Sequence, residues 1–162
     1  MKTSFTKKNG AIFIILFFLL IQSIQIDKTN QAVNQTQDFI SVTSAHQDIE
    51  NVLKSACYDC HSNQSHYPWY ANVAPVSWWI KHHINEGREH LNFSLWGIYS
   101  EKQKHHKIEE CIEVIEEGEM PMTSYTWMHK EAKLTDDQKM QLISFFKGLQ
   151  YSASLSKIEE TH

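Results

Sequence analysis

The chain has 162 residues, with 15 basic residues against 19 acidic ones and a net charge of −4. That length allows one small domain with a modest core. Setting aside Lys2, Lys7 and Lys8 leaves 12 basic against 19 acidic residues, net −7. This balance argues against a nucleic-acid partner and fits either a partner with a basic docking patch or simple solubility.

Lys2, Lys7 and Lys8 precede an unbroken apolar run from Ala11 to Ile21, which Ile24 and Ile26 extend weakly. A basic start followed by such a run has the form of an export segment. At ~1.5 Å per residue, 11–26 would rise about 24 Å, which is short for a spanning helix. Ser23-Ile24-Gln25 is a poor cleavage site, and no cysteine precedes Cys57 for lipid attachment. Residues 1–26 therefore read as a signal peptide or membrane anchor. The uncleaved anchor is favoured, with the rest of the chain on the periplasmic side. Residues 27–45 are rich in Gln, Asn, Thr and Ser and read as a flexible tether. The folded part is expected over 46–151, followed by a polar, frayed tail, 152–162.

The fold class is all-α. Ile49, Val52, Leu53 and Cys57 recur at helical spacing over Gln47–Cys57. Residues 62–75, with Pro68 and Pro75, read as a loop. Val76–Glu86 is a short helix stopped near Gly87, and Leu91–Tyr99 is ambiguous. Glu101–Glu117 carries the stripe Ile108, Cys111, Ile112 and Ile115 and ends at Gly118. Residues 119–134 read as a loop. The last helix starts at an N-cap, Thr135, with Gln138 completing a capping box. Its stripe is Met140, Ile143, Phe146 and Leu149.

The first of these helices runs into Cys57-Tyr58-Asp59-Cys60-His61, a CxxCH pentad and the signature of covalent haem c attachment. Two thiols separated by two residues reach the two vinyl groups on one haem edge. The adjacent histidine is then delivered to the iron. A structural zinc site wants four ligands, and the one other cysteine, Cys111, lies far along the chain. A redox dithiol normally accompanies a βαβ pattern, which is missing here. Haem would also give a short chain a large apolar centre. Pro68 or Pro75 is the expected carbonyl acceptor for His61 Nδ1–H.

His61 leaves one axial iron position, and its occupant decides function. Met120, followed by Pro121, is the leading candidate, with Met122 close enough to be confused with it. The rivals are histidines, ten in all, of which His83 and His129 are the two to test. The others read as solvated or hydrogen-bonded surface groups. Tyr67, Trp69, Tyr70, Trp78, Trp79, Trp96, Tyr125 and Trp127 read as core packing rather than an electron path. Cys111 reads as a buried thiol.

The order of helices follows the plan of a class I cytochrome c. More specifically, the chain resembles the bacterial haem-binding domain family of small c-type cytochromes. The resemblance rests on Cys57–Asn63, Tyr67-Pro68-Trp69-Tyr70, Pro75–Trp79, His83, Gly87-Arg88, Leu91–Ser94 and Trp96. Gly118-Glu119-Met120-Pro121, Tyr125, His129, Ala132 and Leu134 extend it. It implies one haem c per domain, a mostly helical fold and a membrane-tethered or periplasmic location. Met122 departs from the pattern, which expects a proline there.

The leading functional expectation is an electron carrier, with Cys57 and Cys60 as tethers and His61 and Met120 as axial ligands. Its partners would be periplasmic or membrane redox proteins and the cytochrome c maturation machinery. The alternative is a peroxidase-like enzyme or gas sensor with an open sixth site and a distal His83 or His129. A third is a module that serves the maturation of other proteins.

Overall fold

The computed structural model describes residues 7–159, and Lys2 of the expected basic start lies outside them. Every regular element among the described residues is helical, with no strand. The helices are α1 (Lys7–Ile21), α2 (Phe39–Thr43), α3 (Gln47–Ala56), α4 (Tyr58–His61), α5 (Val76–His90), α6 (Glu101–Glu116), α7 (Thr123–Met128) and α8 (Asp136–Glu159). Short 3₁₀ turns cover Gln35–Gln37, Trp69–Asn72, Phe93–Ile98 and Lys130–Ala132.

The core forms where α3, α6 and α8 press their apolar stripes together. Ile49, Val52, Leu53 and Ala56 come from α3, Ile108, Ile112 and Ile115 from α6, and Leu142 and Phe146 from α8. The α8 stripe is rotated from the expected one. Ile143 and Leu149 pack against the core, but Met140 is 62% exposed and Leu142 takes its place. The capping box at the start of α8 forms as read. Gln138 N–H donates to Thr135 Oγ1 at 3.2 Å, and Thr135 N–H to Gln138 Oε1 at 2.9 Å. A second box, Ser100 with Gln103, starts α6. Gly118, at φ +75°, turns the chain out of α6, a left-handed conformation suited to glycine.

The segment read as a tether is built into the core. Phe39 is fully buried, with ring centroids 5.0 Å from Phe93, 4.8 Å from Trp96 and 6.0 Å from Phe146. Asp38 is 2% exposed and accepts from Ile40 N–H at 3.1 Å, Tyr58 Oη–H at 2.8 Å and Gln64 Nε2 at 3.2 Å. A buried carboxylate persists only with such partners, and they fasten the segment to the pentad. Its polar composition hid the single aromatic that packs.

Helix α1 occupies the run read as an export segment. Its side chains from Ile12 to Leu20 are exposed, and Ile21 is buried. Among the described residues no helix is long and apolar enough to cross a membrane. The expected 119–134 loop contains α7, and α8 continues beyond Ser152 to Glu159.

Candidate haem site

The pentad sits at a joint between two helices. Helix α3 ends at Ala56, Cys57 leaves helical geometry at φ −126°, ψ −42°, and α4 carries the rest. Hydrogen bonds still bridge the joint, from Cys57 N–H to Leu53 O at 2.9 Å and from His61 N–H to Cys57 O at 2.9 Å. One continuous turn therefore holds Cys57, Cys60 and His61.

Both pentad thiols are free, as is Cys111. Burial, reinforced by Cys111 and Cys60, pushes Cys57 up to about 12. Burial and the neighbouring Asp59 push Cys60 up to about 11. A catalytic dithiol needs the opposite shift, so the electrostatics disfavour that use.

His61 is fixed from α5. Its Nδ1 lies 2.9 Å from Gly87 O and 3.2 Å from Leu91 O. Two carbonyls can only accept, so Nδ1 carries the proton and Nε2 keeps its lone pair. Burial lowers the His61 pKa against the opposing pull of those carbonyls, so the ring is neutral at neutral pH. A neutral imidazole with its outer nitrogen held by an acceptor is the state that binds a metal. The expected acceptors, Pro68 and Pro75, are not used. The Pro68 carbonyl takes Ala71 N–H, and that of Pro75 takes the amides of Trp78 and Trp79.

Gly87, the expected stop of α5, instead lies inside it. A β-carbon there would stand 3.1 Å from Cys60 O and 3.4 Å from His61 Cε1. The missing side chain lets α4 lie against α5 and brings the Gly87 carbonyl to His61. Helix α5 ends at Leu91, which is extended.

The chain after the pentad is clamped by polar groups. Arg88 Nε donates to Ser62 O at 2.7 Å, and its Nη2 to Ser65 Oγ and Asn30 Oδ1 at 3.0 Å each. Asn92 Nδ2 donates to Asn63 Oδ1 at 2.8 Å, and Asn63 N–H to Ser94 Oγ at 3.1 Å. Asn63, Asn92 and Ser94 are all buried.

Met120 and Met122 lie half-buried between α6 and α7. The Met120 amide donates to Val114 O at 3.1 Å. Tyr125, three residues past Met122, donates its hydroxyl to Asp59 Oδ2 at 2.8 Å. Asp59 lies within the pentad, so this bond ties the methionine segment to the cysteine turn. Burial, then the Asp59 bond, raise the Tyr125 pKa and keep that phenol protonated. His129 stacks on Tyr125, with ring centroids 4.4 Å apart. Its Nε2 lies 2.6 Å from Tyr70 Oη and its Nδ1 3.2 Å from Glu131 Oε1. His83 sets its Nδ1 2.8 Å from Trp79 O and its ring 4.2 Å from that of Trp79. His82, His105 and His106 each face a glutamate one turn on, at 3.3–3.4 Å. Cys111 packs against the core, and burial pushes its thiol up to about 12.

The expected aromatic core is only partly realised. Trp96 is buried, but Trp69, Trp79 and Trp127 are 74%, 46% and 82% exposed. The core stripes are filled by Phe39, Phe93 and Phe146, leaving these indoles outside.

Comparison with known families supplies the deciding observation. The haem-binding domain family matches residues 16–148. The chain belongs to that family. As a haem-binding domain it takes haem as its cofactor, and the match reaches back into α1, well ahead of position 46. No curated protein and no solved structure gives a match.

The residues present suit the group. Two neutral thiols and an imidazole with an available lone pair stand on one turn. Among the described residues no three His, Cys, Asp or Glu side chains cluster as an alternative metal site. Asp38, Asp59, Gly87 and Tyr125 support the turn, a role that the sequence reading assigned to none of them. Gly87 and Tyr125 were visible as part of the family resemblance, and Asp38 only as a capping residue one position before an isolated aromatic.

Proposed function

We propose that the chain is an exported single-haem c-type cytochrome that carries electrons between redox partners. The observation that carries this is the fixing of His61 Nδ1 by Gly87 and Leu91 beside two neutral thiols. Cys57 and Cys60 would hold the haem covalently, and His61 Nε2 would bind its iron. Haem iron, when bound, supplies a one-electron couple. Met120 would be the second protein ligand to that iron, in preference to Met122. His129 is disfavoured because both its ring nitrogens already have partners. His83 is the remaining rival.

Export and placement on the periplasmic side of the inner membrane rest on the lysines and apolar run of residues 1–26. The maturation machinery that attaches haem c is one partner. A redox protein with a basic docking face suits the acidic balance of the chain.

The optical spectrum of the haem-loaded protein, with and without carbon monoxide, tests the function. The wild type is expected to be low-spin in both oxidation states and indifferent to the gas, whereas Met120→Ala binds it. A wild type that takes up carbon monoxide readily means an open site and an enzyme or sensor. An unchanged spectrum in Met120→Ala moves the sixth ligand to a histidine.

A further inference from the structure

The chain that leaves α1 does not hang free. Gln22 pairs its side-chain amide with the Ala74 backbone, Nε2 donating to Ala74 O at 3.0 Å and Ala74 N–H to Oε1 at 2.9 Å. Trp78 Nε1 donates to Ile24 O at 2.9 Å. Gln25 Nε2 donates to Asn72 O at 3.4 Å, and Lys28 reaches Asn72 Oδ1. Asn30 Nδ2 donates to Ser65 O at 2.9 Å. The strip 22–30 is therefore sewn onto 65–78, directly after the buried Ile21. No slack separates the apolar helix from the domain.

The surface beside this seam is apolar and aromatic. Trp69 is 74% exposed, Trp79 46%, Val76 42% and Ile24 59%. All are local to the seam. Asn72 Nδ2 donates to the Trp69 carbonyl at 2.8 Å, and the Trp79 amide bonds Pro75 at 3.2 Å. Exposed indoles next to an apolar helix match the belt that tryptophans form at lipid headgroups. Lys28 and Lys81 lie by the same seam and suit lipid phosphates.

Helix length points the same way. The run Ala11–Ile21 rises about 16 Å, roughly half of a bilayer core of ~30 Å. A helix this short, joined without slack, reaches lipid only if the domain rests on the bilayer. We propose that the domain docks rigidly on the lipid surface through Trp69, Val76, Trp79 and Ile24. This deepens the reading of residues 1–26 as a membrane anchor and rests on it. The docking fixes which side of the haem domain faces away from the bilayer towards a partner.

The test uses the full haem-loaded chain on vesicles of phosphatidylethanolamine and phosphatidylglycerol. Flotation first shows whether the chain binds. Radiolytic hydroxyl-radical footprinting with mass spectrometry then reads side-chain oxidation. A second chain carries a ten-residue Gly-Ser linker between Ile21 and Gln22, adding a reach of about 17 Å while leaving the seam intact. Trp69 and Trp79 are expected to oxidise at least about threefold faster in the linker chain once the slack frees the domain. Met140 and Tyr151, exposed on α8, should react equally in both chains. Trp69 and Trp79 rates on vesicle-bound chains equal to those of the same chains without vesicles overturn the docking and leave the anchor standing. A chain that does not float with the vesicles overturns both.

Discussion

Gly87 shows how one missing side chain sets the site. Its absent β-carbon admits the Cys60 carbonyl and the His61 ring, and its carbonyl accepts from Nδ1. Gly87→Val is therefore expected to destabilise the protein by about 1–3 kcal/mol in guanidinium unfolding, as overpacking does, and to lower haem occupancy. Gly148 is the control. It lies in α8, where an added β-carbon would meet nothing within 4 Å, so Gly148→Ala should stabilise by about 0.5–1 kcal/mol. A Gly87→Val protein as stable and as haem-replete as the wild type would refute the close-approach argument. At this scale the pentad is legible because covalent attachment needs its residues consecutive. The partners of His61 are not, because backbone carbonyls from α5 leave no trace in residue identity. The prolines that the sequence suggests in their place give their carbonyls to the 3₁₀ turn and the start of α5.

Among elements, the strongest departure from expectation is α2. The expected tether supplies Phe39 to the centre of an aromatic cluster, and Asp38 to the hydroxyl of Tyr58 inside the pentad. Phe39→Ala is expected to cost about 3–5 kcal/mol, the range for truncating a buried phenylalanine. Chemical denaturation of the haem-loaded chain measures it, and a loss under about 1 kcal/mol would restore the tether. The apolar stripes of α3 and α6 are legible because burial repeats every three or four residues. So is the start of α8, where a capping box is a local device. The face of α8 is misread at Met140 because Leu142, Ile143, Phe145 and Phe146 offer two overlapping stripes. Only the position of α3 and α6 chooses between them. The end of α5 is misread because a glycine in mid-helix carries the same letter as a glycine that ends one.

Across the whole molecule, three features converge on the cysteine turn. The polar clamp through Arg88, Asn63, Asn92 and Ser94 holds the chain after it, Asp38 holds it from α2, and Tyr125 brings the methionine segment to it. Family membership makes this a haem domain. The central claim is that the haem is covalently held by Cys57 and Cys60. Mass spectrometry of the haem-loaded chain, alkylated with iodoacetamide before and after denaturation, tests it most directly. Cys111 is the third thiol. Burial pushes it up to about 12 and so keeps it protonated at pH 8, and the native protein should resist alkylation. That resistance should fade as pH rises towards the raised value. After denaturation the prediction is one alkylated thiol on a chain that still carries the mass of one haem. Three alkylated thiols with the haem released would contradict it.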